Sequence, residues 1–206
     1  MQQRSDDWFK ARLGKATSSN FKDIVTRTKS GYGSARKNYM AKLVAERLTG
    51  QIAEGFTSQA MQWGIDTEDS ARLAYEFRTG ATVVEEGFVE HANMLAGASP
   101  DGLVGNEGLV EIKCPNTATH IDTIQKNKIP YQYIPQVQGQ MWVTGRKWCD
   151  FVSYDPRMPE ELQLVIIRID RDDEYIANLG TEVGQFLDEL DDLEAELKER
   201  MEHASN

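Results

Sequence analysis

The stretch Ser99–Pro115, SPDGLVGNEGLVEIKCP, constrains the fold of this chain more than any other segment. Two apolar runs, Leu103-Val104 and Leu109-Val110, flank the tetrapeptide Gly105-Asn106-Glu107-Gly108. Glycine and asparagine between apolar runs is the chemistry of a β-hairpin. Alternate residues of a strand share a face, so Glu111 and Lys113 point one way and Ile112 the other. A hairpin here folds Asp101 back beside Glu111, and two carboxylates and one ammonium converge on a small volume. Hard oxygen donors of this kind suit Mg²⁺ or Mn²⁺. A bound cation beside a lysine is what phosphodiester hydrolysis needs, a water of lowered pKa and a clamp for developing negative charge.

The rest of the chain reads as helices around a mixed sheet. Asp6-Asp7 precede a helix starting near Trp8, and Ser18 or Ser19 can cap a second helix through Phe21, Ile24 and Val25. Residues 26–36, TRTKSGYGSAR, read as a mobile loop. Helices are expected over about 35–48 and 58–79, each stopped by a glycine, with Trp63, Ala71, Leu73 and Tyr75 of the second facing inward. Strands are expected near 82–88, 95–98, 103–104, 109–114, 151–154 and 162–169. Pro130 and Pro135 bracket the start of a helix over about 135–144, and a last helix runs over about 172–202. No linker or repeat divides the chain. The expectation is one α/β (α+β) domain over 1–206, with a mixed central sheet flanked by helices. Its parts are a basic helical region (1–50), a metal-site core (58–170) and an acidic C-terminal helix (172–202).

Composition narrows the class. With 40% hydrophobic and 27% charged residues the chain matches an ordinary soluble protein. It has no run of eighteen apolar residues and no apolar leader, so a cytoplasmic location without membrane contact is expected. Cys114 and Cys149 are too few for a disulfide scaffold or a four-thiolate cluster, and His91, His120 and His203 are too scattered for a zinc site. The net charge of −10 is unevenly spread. Residues 1–50 hold eleven Lys/Arg against four Asp/Glu, net +7, and residues 159–206 hold four against fifteen, net −11. The basic end can attract phosphates while the acidic end faces elsewhere.

Pro100-Asp101 … Glu111-x-Lys113 resembles the metal-dependent nuclease motif PD-(D/E)xK. Further segments resemble the phage lambda exonuclease and YqaJ-type viral recombinase family. They are Trp8-Phe9-Lys10-Ala11-Arg12-Leu13-Gly14, Thr17-Ser18-Ser19, Trp63-Gly64 with Glu68, Ala71-Arg72, Tyr75-Glu76, Gln136-Val137-Gln138, Met141-Trp142-Val143-Thr144 and Tyr154-Asp155-Pro156-Arg157-Met158. They follow the family's order and similar spacing, from about Trp8 to the last helix.

The resemblance implies a restriction-endonuclease-like core and a Mg²⁺-dependent 5′→3′ exonuclease, with Mn²⁺ able to substitute and two metal ions per site. The substrate implied is linear double-stranded DNA with a 5′-phosphorylated end. The protein would be a homotrimer of phage or prophage origin in a bacterial host, leaving a 3′ strand for a single-strand annealing partner. By the resemblance Glu68 is expected to join Asp101, Glu111 and the Ile112 carbonyl as metal ligands, and Gln138 to sit beside Lys113 and help position the attacking water. Lys113 acts as a cation at the transition state or, neutral, as a general base; the cation is favoured, because the metal can supply hydroxide. Arg12, Ser19 and Ser99 match the positions that cradle the 5′-phosphate in the family, and Lys29 and Arg36 are expected to bind DNA. There are departures: Lys29 stands where the lambda enzyme has an arginine, and so does Thr119, whose missing guanidinium could be replaced by Lys126, Lys128 or Arg36. The alternatives are an endonuclease on the same core, or a non-catalytic DNA-end-binding module, against which the intact Asp101, Glu111 and Lys113 count.

Overall fold

The computed structural model describes residues 2–53 and 58–204. The N-terminal part contains α1 (Asp6–Arg12), β1 (Ala16–Thr17), α2 (Phe21–Val25), β2 (Arg27–Thr28), β3 (Gly31–Tyr32) and α3 (Ser34–Thr49). The middle contains α4 (Gln59–Thr79), β4 (Val83–Val84), β5 (Val89–Glu90), β6 (Ala96–Ala98), β7 (Gly102–Val104), β8 (Gly108–Lys113) and α5 (Thr117–Lys126). Then come α6 (Ile134–Thr144), β9 (Trp148–Tyr154), β10 (Leu164–Asp170) and α7 (Asp173–Ala204). No described helix is long and apolar enough to cross a membrane.

A five-stranded sheet in the order β10-β9-β8-β7-β4 forms the centre, and the α/β (α+β) expectation of a mixed sheet flanked by helices holds. Strands β8 and β9 run parallel, and the other neighbours are antiparallel. The period of two along β8 assigns its faces. Leu109 packs with Cys149 and with Val137 and Met141 of α6. Val110 and Ile112 pack with Val152 and with Ala71 and Tyr75 of α4. So α6 covers one face and α4 the other, and Glu111, which shares a face with Leu109, lies under α6. Gly105 takes φ +54° in the turn between β7 and β8, where a residue with a Cβ would be strained.

The second core lies between α2, α3 and α7. Leu179, Val183, Phe186, Leu187 and Leu190 form the apolar stripe of α7, at helical spacing, and pack on Phe21, Ile24, Tyr39 and Leu43. The Phe186 ring is fully buried and stacks on Tyr39 at 5.6 Å. Phe186→Ala is expected to cost about 3–5 kcal/mol, from lost transfer energy and the cavity left behind. Urea unfolding checks this; a loss under about 1 kcal/mol would show that this interface contributes little.

Several expectations need correction. Residues 26–36 are a small β2–β3 hairpin leading into α3, tied to α7 by Arg27 and Tyr32, which both donate to Glu182 at 2.7 Å. Neither Ser18 nor Ser19 caps α2, because both lie in a 3₁₀ turn (Ser18–Asn20) that precedes it. The expected strand over 82–88 is only Val83–Val84; the chain then crosses to a second sheet, ordered β1-β6-β5. Leu73 is 66% exposed, because Thr67, Ala71 and Tyr75 set the buried face of α4 and Leu73 lies about 200° round from Ala71. The acidic end does not face away from the basic end. Arg27 pairs with Glu182, Arg36 with Glu189, and Arg47 with Asp191 and Glu194, because the apolar stripe of α7 brings its carboxylates against α3. Helix α5, capped by Asn116 at the Thr119 N–H, is an addition to the sequence reading.

Candidate active site

The β7–β8 ladder pairs Gly102 with Val110 and ends there, which leaves Asp101 and Glu111 at its open end. Asp101 Oδ2 accepts the Ile112 N–H at 2.7 Å, so the hairpin itself holds this carboxylate. Glu111 is 1% exposed. Its Oε1 accepts from Gln136 Nε2 at 2.5 Å and from Lys113 Nζ, and its Oε2 accepts from Gln140 Nε2 at 2.6 Å. Three donors fix the carboxylate, which meets the requirement that a buried charge be paired and hydrogen-bonded. The Lys113 ammonium also lies 5.3 Å from the Tyr133 ring centre.

Gln138 is not beside Lys113. Its Nε2 donates to the Asp170 carbonyl at 2.9 Å and its Oε1 accepts the Asp172 N–H at 3.0 Å, so it joins α6 to the start of α7. Helical phase explains the correction. Gln136 and Gln140 are four apart and share the face over β8, and Gln138 is about 200° from Gln136. That i, i+4 pair was the signal in the sequence, and Gln140, fully buried, is the residue that reading the motif alone misses.

The charges are strongly coupled. Burial, then the Glu111 charge, pushes the Asp101 carboxyl well above the usual carboxylate range, and Glu68 pushes the same way. Burial works to lower the Lys113 ammonium, but the charges of Glu111 and Asp101 outweigh it and raise the group. Cys114 is pushed up to about 12 by burial and then by the Glu68 and Asp101 charges.

Asp101, Lys113 and Cys114 lie on the wall of a cleft of about 1010 Å³, together with Glu68, Tyr133 and Arg157. Glu68 is near enough for Asp101 to feel its charge, and its carboxylate accepts from Arg4 Nη2 at 2.6 Å. Among the described residues no three His, Cys, Asp or Glu form a ready metal cage. Mg²⁺ does not need one, since it is commonly held by one or two carboxylates and keeps several waters. Asp101 and Glu111 crowd two carboxylates against one ammonium, and the donors are all hard oxygens. The residues therefore fit a hard divalent cation, and Ile112, which lines the same cleft, can add its carbonyl.

The other expected residues divide. Arg12 Nη1 and Trp8 Nε1 both donate to Ser99 Oγ, at 3.2 and 2.9 Å, and the Arg12 guanidinium lies 4.0 Å above the Trp8 ring. Ser99 is two residues before Asp101, so this cluster adjoins the carboxylates. Ser19 is on the cleft wall but bonds to Thr17 and Asn20, not to Arg12 or Ser99. Lys29 is exposed at the tip of the β2–β3 hairpin. Arg36 is not available to DNA: it is 4% exposed and its two terminal nitrogens donate to Glu189 at 2.6 and 3.1 Å. Thr119 lines the cleft, and Lys126 is paired with Asp122.

Comparison with known proteins places this geometry. The model of the YqaJ-like viral recombinase domain matches residues 7–147. The chain belongs to the YqaJ-like viral recombinase family. The family match runs from α1 through α6 and contains Arg12, Glu68, Ser99, Asp101, Glu111, Lys113 and Gln136. The chain is 47% identical to LHK-Exo, an alkaline exonuclease from Laribacter hongkongensis. In the crystal structure of LHK-Exo with dAMP the match covers 97% of this chain and 100% of that one, with a TM-score of 0.91. A phage-related exonuclease from Haemophilus somnus 129PT shares the fold at 19% identity, with a TM-score of 0.73 over 89% of this chain and 96% of that one. A putative uncharacterized protein, ExoD, of Escherichia coli K12 is 38% identical over 65 residues, 32% of this chain and 74% of that protein.

Proposed function

We propose that this chain is a Mg²⁺-dependent 5′→3′ exonuclease acting on linear double-stranded DNA. The observation that carries the reading is the buried Glu111 carboxylate, pinned by Lys113, Gln136 and Gln140, with Asp101, held by the Ile112 N–H, on the cleft wall. Likeness to an alkaline exonuclease over nearly the whole chain supports it. Asp101, Glu111 and the Ile112 carbonyl, with Glu68, would hold Mg²⁺, which when bound supplies a more acidic water and neutralises developing charge. Lys113 stays protonated, because the carboxylates raise it, and its ammonium offsets the charge of the phosphorane. Gln136 and Gln140 keep Glu111 from rotating. Mixing the protein with linear and with covalently closed duplex, each with and without Mg²⁺, tests the reading. Digestion of the linear form alone, and only with the ion, is expected; cutting of closed circles would turn the reading to an endonuclease.

The Arg12–Ser99 cluster supports the direction. A terminal phosphate carries more charge than an internal one, and a guanidinium fork with hydroxyl donors suits it. Linear duplex with a 5′-phosphate is expected to be digested about tenfold faster than the 5′-hydroxyl form, given the strength of one charge-assisted hydrogen bond. Arg12→Ala should erase the preference and leave residual cleavage. Equal wild-type rates on the two ends, with cleavage limiting, would remove the pocket. The same reading makes the protein a homotrimer, which sedimentation at micromolar concentration tests, and provider of 3′ single strands to an annealing partner.

A further inference from the structure

Arg4 has φ +66°, in the left-handed region that an L-residue enters only at a cost. Its neighbours hold it there. Gln3 Nε2 donates to the carbonyl of Glu86 at 2.9 Å and to that of Pro100, the residue before Asp101, at 2.8 Å. On the other side Ser5 caps α1, accepting the Trp8 N–H and donating to the Gln2 carbonyl. Between these anchors the chain turns sharply, and the turn places the Arg4 guanidinium 2.6 Å from Glu68 Oε2. Arg4, Glu68 and Asp101 together form the boundary between the large cleft and a smaller polar pocket of about 240 Å³.

We propose that Arg4 is a positioning residue that competes with the divalent cation for Glu68. The proposal rests on the metal-site reading above and adds a control to it. Glu68 is, after Glu111, the second carboxylate whose charge reaches Asp101, so it is the group a cation at Asp101 and Glu111 gains by recruiting. Arg4 already neutralises it. Recruitment therefore requires the guanidinium to leave, and it has somewhere to go: the Arg4 side chain is 45% exposed, against 24% for Glu68. A glycine would make the same turn without strain.

The test is Mn²⁺ binding, followed by the loss of the free-ion paramagnetic resonance signal, to the full chain without DNA. Wild type, Arg4→Gly, Glu68→Gln and the double variant are compared. Arg4→Gly is expected to bind Mn²⁺ about fivefold more tightly, the upper range for an ion pair this exposed. Its melting temperature should not fall, since glycine accepts φ +66° freely. In the Glu68→Gln background the same change should have no effect. Unchanged or weaker binding by Arg4→Gly would overturn the proposal. So would equal tightening in the Glu68→Gln background, which would make Arg4 a distant charge rather than a competitor. If no form binds Mn²⁺, the metal-site reading falls and the proposal with it; binding without an Arg4 effect overturns the proposal alone.

Discussion

Asp101→Asn and Glu111→Gln are each expected to reduce cleavage of linear duplex to background while binding to the DNA survives. On the proposed reading each removes an anionic oxygen ligand from a site with only two carboxylates at its centre, and contacts to phosphates elsewhere would be untouched. The two variants should part company in stability. An asparagine at 101 can still accept the Ile112 N–H, and it removes a charge that burial and Glu111 disfavour, so its melting temperature should equal or exceed that of wild type. A glutamine at 111 turns one end of the carboxylate into a donor facing the donors Gln136, Gln140 and Lys113. The resulting mismatch should cost about 1–3 kcal/mol. Full turnover by a folded Asp101→Asn protein would sink the site assignment.

Lys113→Ala should lower the rate by about 10²–10³, the loss typical of one preorganised charge-stabilising donor. The fall is expected in kcat and not in KM, because the ammonium is spent on Glu111 until charge develops in the reaction. Glu111 would keep its two amide donors, so the variant should fold. Lys113→Arg separates the two roles of the lysine. A guanidinium supplies charge but cannot act as a base near neutral pH. Activity of the arginine variant well above the alanine variant fits a cation; equal, near-complete loss in both would favour a base. An alanine variant within about threefold of wild type would remove Lys113 from the mechanism.

Much of the site was legible because its signals are local. Asp101, the hairpin turn and the Glu-x-Lys alternation need only a period of two and a glycine at positive φ. Helices α3 and α4 stop where Gly50 and Gly80 take the left-handed conformation, which is where the sequence places their ends. What failed depended on phase or on distant partners. Choosing Gln138 over Gln136 was an error of about 200° on a helix whose bounds were right. Arg36 looked free because its partner, Glu189, is 153 positions away. Helix α5, TATHIDTIQK, is rich in threonine and isoleucine, weak helix formers, and is held by a cap and by buried His120, which bonds Ser153.

The pairing of Arg27, Arg36 and Arg47 with α7 has a consequence for how the protein searches a polyanion. An acidic helix laid over basic residues is a resident decoy: those arginines are already ion-paired before any nucleic acid arrives. A duplex that collides with that side meets carboxylates and leaves quickly. A net charge of −10 thus becomes a filter on encounters, rejecting most of them at little cost in time.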